Sequence, residues 1–373
     1  MNHLVLYRKY RPMAFDDIVG QDHIVRPITN AIKTNRVAHA YLFAGPRGVG
    51  KTTIARLIAK SLNCTGAVRP CNSCASCAEF NGNRALNVIE IDAASNRGID
   101  EIRALRESAR FAPPGGSFKT YIVDECHMLT KEAFNALLKT LEEPPTHVVF
   151  ILATTEIEKM PATIVSRTQH YTFRRPPISA VASRLGAIAK KEKVALAPEA
   201  AHLIARAGEG SLRDAESILG QIMAAEDKKI TSTEVEDILG LPKSEAAQKL
   251  FSLIAEKNPA GALALVQELA DAGSDTVALL RLLLRYFRHA LLLRLDAAAA
   301  PRFAEDMLPA ERDCIAKNLP HLDEPILTRA VLTITDNLQR FRASPIPQLP
   351  LEITILEILA DQSEQSPQEK LSA

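Results

Sequence analysis

The stretch GPRGVGKT at residues 45–52 decides the fold. It fits the phosphate-loop pattern GxxxxGK[ST] without a mismatch, and it stands between an apolar run, AYLFAG at 40–45, and a strong helical pattern, KTTIARLIAKSL at 51–62. Strand, loop and helix in that order are the context that gives the pattern its meaning. Gly45, Gly48 and Gly50 let backbone N–H groups wrap phosphate oxygens, and the helix beginning near Lys51 points its positive end at them. Lys51 brings a full charge to the β and γ phosphates, and the Thr52 hydroxyl is suited to ligate Mg²⁺. Pro46, Arg47 and Val49 complete the loop and Thr53 follows it. The expected ligand of 45–53 is therefore a nucleoside triphosphate with Mg²⁺.

Working outward, four more strand patterns appear: NVIEID at 87–92, KTYIVDE at 119–125, HVVFILATT at 147–155 and QHYTF at 169–173. Between them lie the helical patterns GIDEIRALRESARF at 98–111 and KEAFNALLKTLEE at 131–143, the second stopped by Pro144 and Pro145. Short apolar strands alternating with helices from about 37 to 173 predict an α/β domain, a parallel sheet covered on both faces. RRPP at 174–177 ends the alternation. Beyond it the pattern is helical: 178–193, 198–207, 211–224 and 231–239, then a larger block from about 244 to 362. The expected division is 1–176 as the nucleotide-binding domain, 177–242 as a small helical lid, 243–362 as an all-helical domain and 363–373 as a disordered tail.

The chain has 373 residues, 47% of them apolar and 24% charged, which suits two or three domains each with its own core and excludes global disorder. With 45 basic against 44 acidic residues, the formal net charge is +1, so nucleic acid would have to meet a local basic surface. One such stripe is Arg103, Arg106 and Arg110 on the predicted helix 99–110, although Glu101 and Glu107 interrupt it and a solvated face is the plainer reading. The N-terminus meets Arg and Lys too early for a signal peptide, so a cytoplasmic address is expected. VALLRLLLRYFRHALLLRL at 277–295 carries Arg281, Arg285, Arg288 and Arg294 and reads as a buried helix with one basic face, not a membrane span.

The strand YIVDE at 121–125 ends in the acid a nucleoside triphosphatase needs: Asp124 to hold the metal through its water shell, Glu125 to polarise the attacking water. DECH at 124–127 also fits the DExH box of helicases, but those need a second α/β domain where this chain turns helical. Cys126 and His127 are then expected to be packing and loop residues. Thr154 and Thr155 end the next strand, where a hydroxyl can orient water or sense a γ phosphate, or where two β-formers simply finish a strand. Arg167, in IVSRT at 164–168, is ill-placed for its own phosphate loop. Arg213 sits in the first turn of a helix that Ser211 can cap, where a cation is disfavoured unless an anion such as the bound nucleotide compensates.

Four of the six cysteines, Cys64, Cys71, Cys74 and Cys77, fall within 14 residues. Four thiolates at that spacing suit tetrahedral Zn²⁺ in a closed structural site within an insertion at about 62–82; an Fe–S cluster and a redox pair are the alternatives.

Together these motifs resemble the gamma/tau family of bacterial DNA polymerase III, the ATPases of the sliding-clamp loader in the AAA+ superfamily. The resemblance is carried by YRKYRPMAFDDIVGQ at 7–21, the phosphate loop and its helix, the cysteine cluster, IEIDAASNRGIDEIR at 89–103, DECHMLTKEAFNALLKTLEEPP at 124–145, ILATTEIEKMPATIVSRTQ at 151–169 and AGEGSLRDAES at 207–217. It is dense through residue 240 and weaker beyond. It implies that Gly45 to Thr52 bind ATP, that Asp124 and Glu125 serve Mg²⁺ and hydrolysis, that Thr155 is a first sensor and Arg213 a second. It implies that Arg167 is an arginine finger for a neighbouring subunit's ATP, that Tyr10, Arg11 and Val19 border adenine, and that the cysteines hold zinc. It further implies an all-helical collar at 243–362, a ring with delta and delta prime type subunits and further copies of the chain, a sliding clamp and primed DNA as partners, and no membrane. Polymerase chemistry would belong to the holoenzyme, since no polymerase carboxylate pair is evident. Two departures stand out: the usual Ser-Arg-Cys triplet is Ser166, Arg167, Thr168, and the first cysteine gap is short. The long tau extension has no counterpart in this sequence, which looks like a short gamma form or a truncated piece of a longer chain. A DExH helicase and a non-catalytic zinc scaffold are the rival functions, the latter expected to carry a degraded phosphate loop.

Overall fold

The structure is a computed structural model that describes residues 5–82, 84–113, 116, 118–225, 229–296, 307–340 and 344–360. Two compact units divide the chain: Met1–Glu192 with Ile204–Ala224, and Lys193–Leu203 with Ala225–Ala373. The expected tail at 363–373 lies outside the described residues.

The first unit is built on five parallel strands, β1 (Ala40–Ala44), β2 (Val88–Asp92), β3 (Lys119–Asp124), β4 (Val148–Thr154) and β5 (Gln169–Thr172), in the order β2-β3-β4-β1-β5. All five were legible as apolar runs. Alternation along the three central strands divides the core into two layers. Ala40 and Leu42, Tyr121 and Val123, Val148, Phe150 and Leu152 pack on one side against Ile102, Leu105, Phe134 and Leu137. Those last four come from α5 (Ile99–Ala109) and α6 (Lys131–Glu142). Tyr41 and Phe43, Ile122, Val149, Ile151 and Ala153 pack on the other side against Ile24, Ile28, Ile54 and Ile58. These belong to α2 (Asp22–Lys33) and α3 (Lys51–Leu62).

The N-terminal segment carries α1 (Leu6–Lys9), and α4 (Ala75–Asn81) belongs to the cysteine insertion. A short α7 (Ala162–Val165) precedes β5. The helices α8 (Ile178–Lys191) and α10 (Leu212–Ala225), read from the sequence as part of a separate lid, pack in this unit with the sheet. Gln21, fully buried, ties the N-terminal segment to the chain leaving β5: its Nε2 donates to Arg174 O at 2.6 Å and its Oε1 accepts from Arg174 N at 3.3 Å.

The second unit pairs β6 (Ala195–Leu196) with β7 (Lys229–Ile230). Among the described residues beyond 177 these two-residue strands are the only ones, so no second α/β layer of the kind a DExH helicase needs is present there. The helix α9 (Pro198–Ala207) lies between them in sequence. α11 (Ser232–Leu239) opens on a capping box, Thr231 with Glu234, and stops at Gly240 with φ +62°. Among the described residues six helices follow: α12 (Ser244–Ala255), α13 (Pro259–Asp271), α14 (Thr276–Leu295), α15 (Pro309–Asn318), α16 (Glu324–Arg340) and α17 (Leu349–Leu359). Their shared core is led by Phe251, Leu283, Tyr286, Phe287, Ile334 and Ile355. On α14 Arg281 and Arg288 are exposed, while Arg285 turns to the buried Glu311 at 3.5 Å. Among the described residues no helix is long and apolar enough to cross a membrane.

Candidate nucleotide site

The phosphate loop runs from the end of β1 into α3, and its three glycines have φ of +147°, +75° and +105° at Gly45, Gly48 and Gly50. Two of them are also required by close approach. A Cβ on Gly45 would lie 2.6 Å from Phe173 O, and one on Gly48 only 1.9 Å from Ser211 Oγ. The loop is thus pinned between β5 and the start of α10.

Lys51 is buried at 6% exposure, and its Nζ donates to the Gly45 and Pro46 carbonyls at 2.7 Å each. Burial lowers its pKa, and the carboxylates of Glu125 and Asp124 act against that. The Thr52 hydroxyl donates to Asp124 Oδ2 at 2.8 Å, joining phosphate loop to acidic strand end. Parallel pairing of β1 and β3 with β4 brings both ends to one edge of the sheet. Asp124 Oδ1 accepts from Glu125 N at 3.0 Å, and Glu125 sits in the left-handed region at φ +48°. That backbone turn is strained for a non-glycine residue and aims the side chain back toward the sheet edge. There Glu125 Oε2 accepts from the Thr155 hydroxyl at 2.9 Å.

His127 lies on the turn Cys126–Met128 that follows β3, in keeping with the packing and loop role expected of it, and its contacts there are specific. Its side chain is 6% exposed; Nδ1 pairs with Thr154 Oγ1 at 3.0 Å and lies 3.5 Å from Glu125 Oε2, and Nε2 meets Glu156 Oε1 at 3.1 Å. It braces the acidic strand end against the end of β4. Cys126 does pack as an apolar residue, fully buried with its Sγ 3.6 Å from Met160 Sδ, and burial pushes its thiol far up.

Of these groups Lys51, Thr52, Asp124 and Glu125 line a cavity of about 400 Å³, together with Arg47 to Gly50, Thr53, Arg11, Val19 and Arg213, whereas Thr155 and His127 stand behind Glu125 and are not on its wall. Ser211 caps α10, accepting from Asp214 N at 3.2 Å, so Arg213 stands in the first turn as the sequence suggests. Its guanidinium lies over the Tyr7 ring, 4.8 Å from the centroid. Tyr10, expected beside the base, is not on the cavity. Tyr7 of α1 and Arg11 just beyond it line the cavity, while the Tyr10 hydroxyl donates to Glu192 and burial pushes its pKa up to about 12. Tyr7 and Ile18, which the sequence reading did not single out, line the cavity. So do Arg184 and Glu216, paired at 3.2 Å across α8 and α10. Burial raises the Glu216 pKa against the pull of Arg184.

Arg167 lies at the opposite edge of the sheet, just before β5 begins, beside His39 and Ala40 at the start of β1. It pairs with Glu142 at 2.7 Å on a half-exposed surface. The arginine stripe on α5 is broken: Arg103 is paired with Asp100 at 3.3 Å, Arg106 is half-buried and only Arg103 and Arg110 are exposed.

The four cysteines of the insertion converge, with all four sulfurs within 4.8 Å of one another. Backbone N–H groups of Gly66 and Cys71 point at Cys64 Sγ at 3.4 and 3.2 Å, and that of Cys74 at Cys71 Sγ at 3.3 Å. Such N–H donors stabilise thiolates, so the cluster fits a tetrahedral soft cation.

A five-stranded parallel sheet with a phosphate loop after β1, the strand between β4 and the edge strand β5, and a helical segment returning over that loop, makes this a P-loop protein of AAA+ type. Residues 20–177 match the family described as DNA polymerase III, delta subunit, residues 180–227 the DNA polymerase III clamp loader subunit ATPase lid domain, and residues 230–373 DNA polymerase III subunits gamma and tau domain III. The chain is 39% identical to DNA polymerase III subunit tau of Bacillus subtilis over 96% of its own length and 63% of that protein. It is 39% identical to the Escherichia coli tau subunit over 96% and 56% of the two chains, and 39% identical to the Buchnera aphidicola gamma subunit over 79% and 82%. The chain therefore belongs to the DNA polymerase III gamma/tau subunit family, and it spans about three fifths of the length of the two tau subunits. Among solved structures, Thermotoga maritima RuvB aligns with 72% of this chain and 88% of its own at a TM-score of 0.48 and 21% identity.

Proposed function

We propose that this chain is the ATP-hydrolysing motor subunit of a bacterial DNA polymerase III clamp loader, working in a ring with delta and delta prime type subunits and further copies of itself to load a sliding clamp onto primed DNA. The single observation that carries the reading is the hydrogen-bonded run Thr52–Asp124–Glu125–Thr155, whose first three members line the cavity. It unites the groups phosphoryl transfer needs on one sheet edge. Bound Mg²⁺, held by Thr52 and Asp124, would neutralise charge on the phosphates. Lys51 exchanges its two loop carbonyls for phosphate oxygens, and Glu125 accepts a proton from the attacking water, oriented by Thr155 and His127. Arg213 swings from Tyr7 to the γ phosphate, closing α10 over the loop. Arg11 and Val19 wall the adenine side, with Tyr7 in the place expected of Tyr10.

Arg167, on the far edge from its own loop, serves as the finger of an adjacent protomer. The lid at 177–242 and the collar at 243–362 carry closure and ring assembly, Zn²⁺ occupies the four cysteines as a structural ion, and the chain works in the cytoplasm. Polymerisation belongs to the holoenzyme's other subunits.

The test is ATPase activity of the complete assembly with and without clamp and primed DNA, for wild type, Arg167→Ala, Lys51→Ala and mixtures of the two variants. Stimulation by clamp and DNA, and partial recovery in the mixtures, are expected. A rate indifferent to clamp and DNA, with no recovery in any mixture, overturns the reading.

A further inference from the structure

Lys60 is a buried lysine without a carboxylate. It is 2% exposed, in the last turn of α3, four residues before Cys64. Its Nζ donates to the side-chain carbonyl of Asn72 and, at 3.4 Å, to Met13 O, and it lies 5.8 Å from the centroid of the Phe80 ring. Among the described residues it forms no ion pair with an acidic side chain. Its neighbours are two neutral dipoles and a π face, and the negative end of the α3 dipole adds only partial charge. An ammonium withdrawn from water needs more than that.

Two of those neighbours belong to the cysteine insertion. Asn72 stands between Cys71 and Cys74, and Phe80 is on α4, three residues after Cys77. Burial lowers the Lys60 pKa, and the groups acting against it are Cys77, Cys64, Cys71 and Cys74. The missing counter-charge is therefore next door. Four thiolates around a divalent cation leave two negative charges in excess, and that excess in turn needs a cation beside it.

We propose that Lys60 is the counter-ion of the four-cysteine metal centre, each offsetting the cost of burying the other, with Asn72 holding the ammonium against the ligand loop. The inference rests on the metal reading of the cysteines. It also gives the insertion a mechanical tie. Met13, the second acceptor, follows Arg11 and Pro12, both on the wall of the nucleotide cavity, so one ammonium joins the metal loop to that wall.

The full-length chain tests this with Lys60→Met, which keeps the stem and removes the charge, and Lys60→Arg, which keeps the charge. Zinc content is measured on the purified chain, Co²⁺ affinity by the thiolate-to-cobalt charge-transfer band, and thermal unfolding with metal and in chelator. Wild type should bind one ion; Lys60→Met should bind Co²⁺ about 10- to 100-fold more weakly, and Lys60→Arg should stay close to wild type. In chelator, Lys60→Met should melt no lower than wild type, because an unpaired buried charge has been removed. A Lys60→Met chain with wild-type Co²⁺ affinity overturns the proposal. Equal destabilisation with and without metal does the same, since it leaves Lys60 a packing role alone. A wild-type chain that takes up neither zinc nor cobalt removes the metal reading itself, and the proposal with it.

Discussion

The two edges of the five-stranded sheet hold their charged groups very differently. At the carboxyl edge Lys51, Thr52, Asp124, Glu125 and Thr155 are joined to one another or to the loop by short hydrogen bonds inside one chain, and His127 is bonded to Thr154 beside them. At the amino edge Arg167 is about one-third exposed and held by Glu142, itself about half exposed, a surface pair contributing about 0.2–1 kcal/mol. The first arrangement is complete without help. The second is a cation at a partly exposed surface, its guanidinium also donating to Thr163 O at 2.9 Å and Ser166 Oγ at 3.2 Å.

That contrast fails if the two edges respond alike to mutation. The largest effect is expected from Arg167→Ala: turnover by the assembled ring falls about 10³-fold or more, while fluorescent ATP analogue binds the isolated chain with unchanged Kd. A matching loss of binding in the isolated chain would place Arg167 at its own nucleotide and erase the distinction. Glu125→Gln should cost about 10²-fold in single-turnover hydrolysis and leave nucleotide affinity intact, because it removes a proton acceptor and not a phosphate contact. His127→Ala should lower the same rate less, with His127→Asn retaining part of it through a replacement bond to Thr154.

A milder, pH-graded effect sharpens the comparison at the cysteine insertion. Hydrogen bonds from Ser73 and from backbone N–H groups pull the Cys71 thiol down to about 5, whereas burial pushes Cys77 up to about 12. Near neutrality Cys71 is already a thiolate, but Cys77 must lose its proton to hold a metal. Metal affinity should therefore rise with pH and fall as pH drops, about tenfold per unit for each proton displaced, read by cobalt titration at several pH values. Affinity independent of pH between 6 and 8 would exclude displacement of the Cys77 proton. Smallest is Glu142→Gln, which removes the ion pair of Arg167 and leaves its bonds to Thr163 O and Ser166 Oγ: stability should change by less than about 1 kcal/mol, and turnover of the assembled ring should rise by no more than about fivefold. A large loss of stability would show that Glu142 and Arg167 are a structural pair.

Much of the site was legible because its signals are local. A phosphate loop needs glycines, a lysine and a hydroxyl within eight consecutive positions, and four cysteines within 14 residues advertise a shared ligand. Strand ends could be read from apolar runs, so Asp124 and Thr155 could be brought to one edge on paper. What escaped was direction. Tyr7 and Tyr10 are three residues apart on one short turn, and nothing in their spacing says which meets the cavity and which meets Glu192. His127 resembled a turn residue because its partners, Thr154 and Glu156, lie a whole helix and strand away. The Arg184–Glu216 pair joins two helices that the sequence pattern treats as independent.

By itself the sequence determined which elements form and which chemistry each end of them can offer, since hydrophobic period, glycine freedom and donor type are properties of neighbouring residues. Only the tertiary structure decided which charges have partners within the chain: Lys51 among carbonyls and carboxylates, Arg213 over Tyr7, Arg167 apart on the far edge, Lys60 beside the thiols. The physical reason is that the cost of a charge depends on what surrounds it after burial, and those surroundings come from segments tens to hundreds of residues away.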